Sequence, residues 1–167
     1  MGKLARGVRV IWLSFDDKEW TPIGKDMDDM SMELNPDVSQ TKNVLGDTVV
    51  EHNGYTPSLD NDYIARSEDA IYPHLEKIAN ELLTDEEHTT AYLIEATLTD
   101  EVKESDTTTL TGKGYKTKGI VSVTSTGGST SGYTIPFNWQ QDGARTQGTV
   151  SVTNRVPTFT PATGGTE

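Results

Sequence analysis

The sequence contains no cysteine, which removes disulfide frameworks, thiolate zinc sites and thiol nucleophiles from consideration. It is also poor in apolar residues, 33% of the 167, and in aromatic ones, 7%, with a mean hydropathy of -0.55. A compact fold of this length buries about 70% of the surface its unfolded chain exposes, so the core must be lean or completed by partners. Nowhere do about 18 apolar residues follow one another, as a membrane-crossing helix requires, and the first ten residues lack the apolar stretch of a signal peptide. A soluble protein made in the cytoplasm is expected. Basic residues are scarce as well. Lys and Arg number 14 against 26 Asp and Glu, for a formal charge of -12 and a pI near 4.6. That balance excludes attachment to nucleic acid by phosphate neutralisation, which needs a basic footprint.

The length suits one domain with extended arms. The charge is unevenly spread: residues 1–106 hold 24 acids and 9 bases, a formal -15, whereas residues 107–167 hold 2 acids and 5 bases, a formal +3. An acidic surface and a mildly basic one on the same chain favour head-to-tail contact between copies.

One segment reads as a helix. Ile71, Leu75, Ile78 and Leu82 are spaced by 4, 3 and 4 residues, one face of a 3.6-residue period, and predict a helix over 68–83. Ser67 or Asp69 is the candidate cap, and Pro73 fits only in the first turn, where its missing N–H costs nothing. Most of the rest reads as strand. Residues 90–99 alternate apolar and Thr residues, with Tyr92, Ile94, Ala96 and Leu98 on the face expected to be buried. Asp142-Gly143 is a two-residue hairpin signal that predicts Trp139 opposite Thr146, Phe137 opposite Gly148 and Ile135 opposite Val150. Pro136 cannot donate to a ladder and marks a free edge or a bulge. Residues 119–124 make a further strand, followed by a Gly/Ser/Thr loop over 125–132. Residues 35–66 are polar and punctuated by Asn35-Pro36, Asn53-Gly54 and Thr56-Pro57, which predicts an extended hairpin outside the core. The tail from Pro157 to Glu167 reads as an arm.

No catalytic constellation is recognisable. His52, His74 and His88 have no metal-ligand spacing, and Asp26-Met-Asp-Asp29 and Asp60-Asn-Asp62 lack the remaining positions of a calcium loop. Gly127-Gly-Ser-Thr-Ser-Gly132 is not a nucleophile elbow, and Gly112-Lys113 is not a phosphate-binding loop. No enzyme, metal or cofactor is therefore expected. Trp12, Trp20 and Trp139 could form a stacking platform for a sugar, although core or interface packing is the simpler use of such residues.

The order of features carries more than any one motif. Trp20-Thr-Pro-Ile-Gly24, Met30-Ser-Met-Glu-Leu-Asn35 and Asp37-Val-Ser-Gln-Thr-Lys-Asn-Val-Leu-Gly46, followed by the helix and a β-rich remainder, resemble the major tail proteins of long-tailed siphophages over roughly residues 10–155. The resemblance implies a mainly β fold with one flanking helix, a β-sandwich or partial barrel of the phage tail tube type. It also implies hexameric rings that stack into the tail tube of the virion and conduct DNA without binding it specifically. The partners implied are further copies of the chain, a tape-measure protein, and tail terminator or initiator proteins, with assembly from the host cytoplasm and no membrane contact. Carried onto this sequence, residues 1–10 and 156–167 are the arms, residues 11–155 the domain, and residues 35–62 the long loop joining rings, with Val44, Leu45, Val49 and Val50 as its candidate contacts. Glu33, Asp37, Asp47 and Glu51 are the candidate acids facing the lumen, where negative charge would let DNA slide. The alternatives are the tube protein of a contractile tail or secretion system, and a monomeric β-sandwich module binding carbohydrate through its tryptophans.

Overall fold

A computed structural model describes residues 2–24, 30–101 and 109–162. After a 3-10 turn at Arg6–Val8 the described chain runs through β1 (Arg9–Ser14), β2 (Thr21–Pro22), β3 (Met32–Glu33), β4 (Pro36–Lys42), β5 (Thr48–Tyr55), β6 (Ser58–Ile64), α1 (Tyr72–Glu81), α2 (Glu86–Thr89), β7 (Thr90–Leu98), β8 (Leu110–Val123), β9 (Gly127–Ser129), β10 (Gly132–Gln141), β11 (Thr146–Thr153) and β12 (Val156–Pro161). The protein is mainly β, and its main sheet curls into a half-barrel with α1 beside it. In that sheet β2, β1, β7, β8, β10, β6 and β3 are successive neighbours, β11 branches from β8 and carries β12 on its other edge, and β9 pairs with β10. β4 and β5 form a separate two-stranded sheet.

The branch at β8 organises the molecule. β7 lies along one edge of this 14-residue strand, pairing Thr90 with Ile120 through to Leu98 with Gly112. The opposite edge is shared: β10 takes Gly119 to Val123 and β11 takes Leu110 to Lys116. β10 and β11 therefore continue in one direction along β8, and the predicted Asp142-Gly143 hairpin is overturned. Gly143 does take a positive φ of 90°, but the Asp142 N–H donates to the Lys118 carbonyl, so the segment is a bulge in a long strand and not a reversal. Trp139 faces Val121 and Leu59 in place of Thr146. The reversal comes later, at Asn154 and Arg155, both at positive φ, where β11 turns into β12. At Pro136 the expected ladder break is present. The β8 pairing ends at Phe137, the β9 pairing resumes at Thr134, and the Pro136 carbonyl accepts from the Thr124 N–H at 2.9 Å.

Two cores result, on opposite faces of β1 and β7. Ile11, Leu13, Ala91 and Leu93 join Leu59, Tyr63, Val121, Ile135, Phe137 and Trp139 beneath α1, while Trp12, Ile94, Ala96 and Leu98 pack with Val150 and Val152. The expected burial is met at Ile94, Ala96 and Leu98 but not at Tyr92, which is half-buried, and the Leu93 face is buried too, because the sheet curls around both sides of these strands. Val10-Ile-Trp-Leu13 shows the same two-sided burial as an unbroken apolar run. Close approach is needed where Trp139 crosses β8: its indole lies directly over the backbone of Gly119 and donates from Nε1 to the Ala91 carbonyl at 3.1 Å.

The helix is shorter than 68–83. α1 begins at Tyr72 with Pro73 in its first turn, since a proline deeper in would lack its N–H and clash. Neither Ser67 nor Asp69 caps it; the Asp69 carboxylate instead accepts from the Tyr63 hydroxyl at 2.7 Å. Ile71, Leu75 and Ile78 are buried as their spacing predicts, whereas Leu82 lies past the last turn in a left-handed conformation and is exposed. The proposed long loop 35–62 also changes: its last part, from Ser58, belongs to β6, a strand of the main sheet whose Leu59 and Asn61 are buried. The arms contract likewise. Arg9 and Val10 already belong to β1, and residues 156–161 form β12, whose Phe159 packs against the second core. Residue 1, residues 163–167 of the expected tail and the Asp26 to Asp29 cluster lie outside the described residues. Among the described residues no helix is long and apolar enough to cross a membrane.

Candidate functional site

The β4–β5 hairpin leaves the main sheet from the short β3–β6 pair. Its root is fixed by Asn35, at a positive φ of 49°, whose side-chain amide donates to the Thr56 carbonyl at 2.9 Å and to the Ser58 hydroxyl at 3.0 Å. Its tip is built by Asn43. The side-chain oxygen accepts from the Leu45 and Asp47 N–H groups at 2.9 and 3.0 Å, and Gly46 supplies a positive φ of 85°. Between root and tip, Val38, Gln40 and Lys42 face His52, Val50 and Thr48 across the ladder, while Ser39 and Thr41 face Glu51 and Val49.

Both faces of this ribbon are solvated. Val44 and Leu45 at the tip are 102% and 82% exposed, Val50 is 62% and Val38 53%. Val49, on the other face, is 38% exposed, and the Tyr55 ring near the root packs tilted against His52 with ring centroids 4.6 Å apart. The four residues expected to make inter-ring contacts therefore share one projecting ribbon, with Val49 and Val50 on opposite faces. Three of the candidate lumen acids lie on the same ribbon, Asp37 at a bulge in β4, Asp47 in the tip and Glu51 on β5, whereas Glu33 lies on β3 of the main sheet beside the root. All four are exposed, and none forms an ion pair or side-chain hydrogen bond among the described residues.

A second group was not legible in the sequence. Glu95, buried on β7, accepts from Arg9 Nε at 2.7 Å and from the Tyr115 hydroxyl. Arg9 Nη1 also donates to Thr97, and the Arg145 guanidinium stacks on the Tyr115 ring, 3.9 Å from its centroid. Burial first, then the bond to Glu95, pushes the Tyr115 phenol well above its ordinary pKa. Burial and the bond to Asp69 do the same for Tyr63. Positions 9, 95, 115 and 145 are too far apart in the chain for any local pattern to link them.

The remaining candidates resolve into structure. Trp12 and Trp139 are fully buried core residues, which leaves no surface platform of three tryptophans. His74 stacks on Phe15 with centroids 4.9 Å apart. His88, Asp85 and Glu87 place three potential ligand atoms near one another, but Asp85 is occupied as the cap of α2 and in contact with the His88 ring, and all three residues are at least partly exposed. Asp60 and Asp62 point outward from β6, where Asp60 accepts from the Asn138 amide at 2.7 Å. Comparison with protein-family models and with curated proteins returns no match.

Proposed function

We propose that this chain is a self-assembling structural subunit, the major tail protein of a long-tailed siphophage, in which hexameric rings stack into the tube that delivers DNA. The observation that carries the proposal is the β4–β5 hairpin. It holds apolar side chains in water on a fold whose two cores are complete without them. Burying a Val or Leu side chain is worth about 1.5–3 kcal/mol, so Val44, Leu45 and Val50 together represent a large unrealised gain that a second copy could supply. The sheet supports the same proposal. A half-barrel retains unpaired strand borders, which lateral neighbours in a ring would satisfy. A projecting element that docks on the next copy is a heterologous contact, the kind that propagates into a filament.

In this role the partners are copies of the chain, with tape-measure, terminator or initiator proteins at the ends, and the location is the virion tail. A contractile-tail or secretion-system tube would use the same hairpin and differ in the sheath around it, which micrographs of the intact particle distinguish. The carbohydrate-binding alternative loses its carrier, because two of the three tryptophans are in the core.

Deleting residues 36–55 and joining Asn35 to Thr56 leaves four residues between the β3–β6 partners Glu33 and Ser58, enough to close a turn. Deleting the whole of 35–62 would instead remove most of β6, Ser58–Ile64, and unfold the domain. The wild-type chain should form rings or tubes by negative-stain microscopy when concentrated or seeded with tail tips. The 36–55 deletion should keep its circular dichroism spectrum and fail to assemble. A wild-type chain that stays near its 18.3 kDa mass under both conditions refutes the proposal.

A further inference from the structure

Beside the hairpin root lies the counterpart that its acids lack. A cleft of about 310 Å³ opens among Arg6, Arg9, Arg145, Glu95, Tyr115 and Met32. It adjoins a second of about 380 Å³ through the shared residues Leu34 and Arg145, where Tyr55 and Pro57 provide apolar walls. Three guanidinium groups against one carboxylate give these linings a formal +2 on a chain whose total is -12. The cations are only partly engaged. Arg9 is held by Glu95 and Thr97, and Arg6 donates to the backbone carbonyls of Arg9 and Met30. Arg145 donates through Nε to Gln141 at 3.1 Å and its Nη2 is buried without a hydrogen-bond partner, while the rest of its side chain lines the cleft. A guanidinium stacked on an aromatic ring with donors to spare is suited to a carboxylate, which its planar fork binds in bidentate fashion.

We infer that this cleft is the receptor for the hairpin tip of a second copy, with Asp47 seated on the arginines and Val44 and Leu45 against the apolar walls. This rests on the assembly role proposed above and names its contact. The complementarity is of two kinds. The tip presents a carboxylate with no partner beside two strongly exposed apolar side chains, and the adjoining clefts present three guanidinium groups against one carboxylate beside Leu34, Tyr55 and Pro57. A copy cannot fill its own cleft. Seven residues of β4 at about 3.3 Å each hold the tip about 23 Å from the root, where the cleft lies. The docking is therefore head to tail, and Asp47 becomes a contact residue, not a lining of the lumen.

Two measurements test it separately from the assembly role. The first is the concentration needed for assembly of wild type, Asp47→Asn, Arg145→Gln and the exchanged pair Asp47→Arg with Arg145→Asp. Each single variant should raise that concentration at least tenfold, and the exchanged pair should recover much of the loss, because it re-forms the pair between copies. The second uses the dilute, unassembled chain titrated with a cyclised peptide of residues 43–48. The Arg145 Nε–H resonance should shift saturably, and an Asp-to-Asn peptide, which carries no folding risk for the protein, should bind at least tenfold more weakly. Tubes that form equally well in all variants, with no peptide binding, overturn the inference and leave the assembly role standing. Specific peptide binding by a chain that never assembles upholds the contact and refutes the tube.

Discussion

Gly119→Ala isolates the close approach on which the first core depends. A Cβ built at this position lies 2.2 Å from Trp139 Cε2, 2.3 Å from Nε1 and 2.5 Å from Cζ2. Ordinary carbon contacts are about 3.5–4.0 Å, so the indole must move by more than 1 Å inside a site where it is wholly buried. Overpacking of a filled core costs about 1–3 kcal/mol. Moving the ring also breaks the Nε1 bond to the Ala91 carbonyl, and leaving buried partners unsatisfied adds about 1–3 kcal/mol. The sum is about 4 kcal/mol, a large share of the roughly 5–15 kcal/mol that holds a domain together. With a urea dependence near 2 kcal/mol per molar, the midpoint should fall by about 2 M, followed by tryptophan fluorescence and circular dichroism. Trp139→Leu should be destabilising alone, yet the double variant should lose much less than the two single losses added, because the smaller side chain vacates the space the methyl needs. A loss below about 1 kcal/mol for Gly119→Ala, or simple additivity, would show that the indole does not press on this backbone.

Glu95→Ala removes the shared acceptor of Arg9 and Tyr115 and should cost about 3 kcal/mol by urea denaturation, at the low end for a broken buried pair since Arg9 is part-exposed; a change under 1 kcal/mol would count against the network. Tyr63 and Tyr115 have pKa values raised in the folded state, so their contribution to stability is full below the unfolded value of 10.0 and is lost as pH rises above it. Alkaline titration followed by phenolate absorbance should therefore show these two tyrosines ionising together with the unfolding transition, and a smooth titration at pH 10 in the folded chain would refute their burial.

Local features were legible in the sequence because their causes are local. Pro73 sits in the first turn of α1 as its chemistry requires, and the 4 and 3 spacing places Ile71, Leu75 and Ile78 on one buried face; the hairpin tip built by Asn43 and Gly46 was not legible, and Asn53-Gly54, which reads as punctuation, lies within β5. Lack of apolar residues over most of 35–55 likewise marks a segment unable to bury itself, and the ribbon is indeed solvated. Strand partnership was not legible. Asp142-Gly143 has the composition of a reversal, but Gly143 at positive φ serves a bulge equally well. The choice was made by β8, whose 14 residues offer one edge long enough to hold β10 and β11 end to end. The same branching buries both faces of β7, which alternation alone assigns to one side.

The sequence by itself determined the class of the protein: an acidic, cysteine-free, strand-rich chain with one amphipathic helix and a polar ribbon, since composition and short-range spacing act within a few residues. The tertiary structure alone decided which residues meet. Arg9, Glu95, Tyr115 and Arg145 are brought to one cleft by hydrogen-bonded ladders that join distant parts of the chain. Backbone pairing is largely indifferent to side-chain identity, so the partners of a strand are settled by the fit of the whole curled sheet and not by any segment within it.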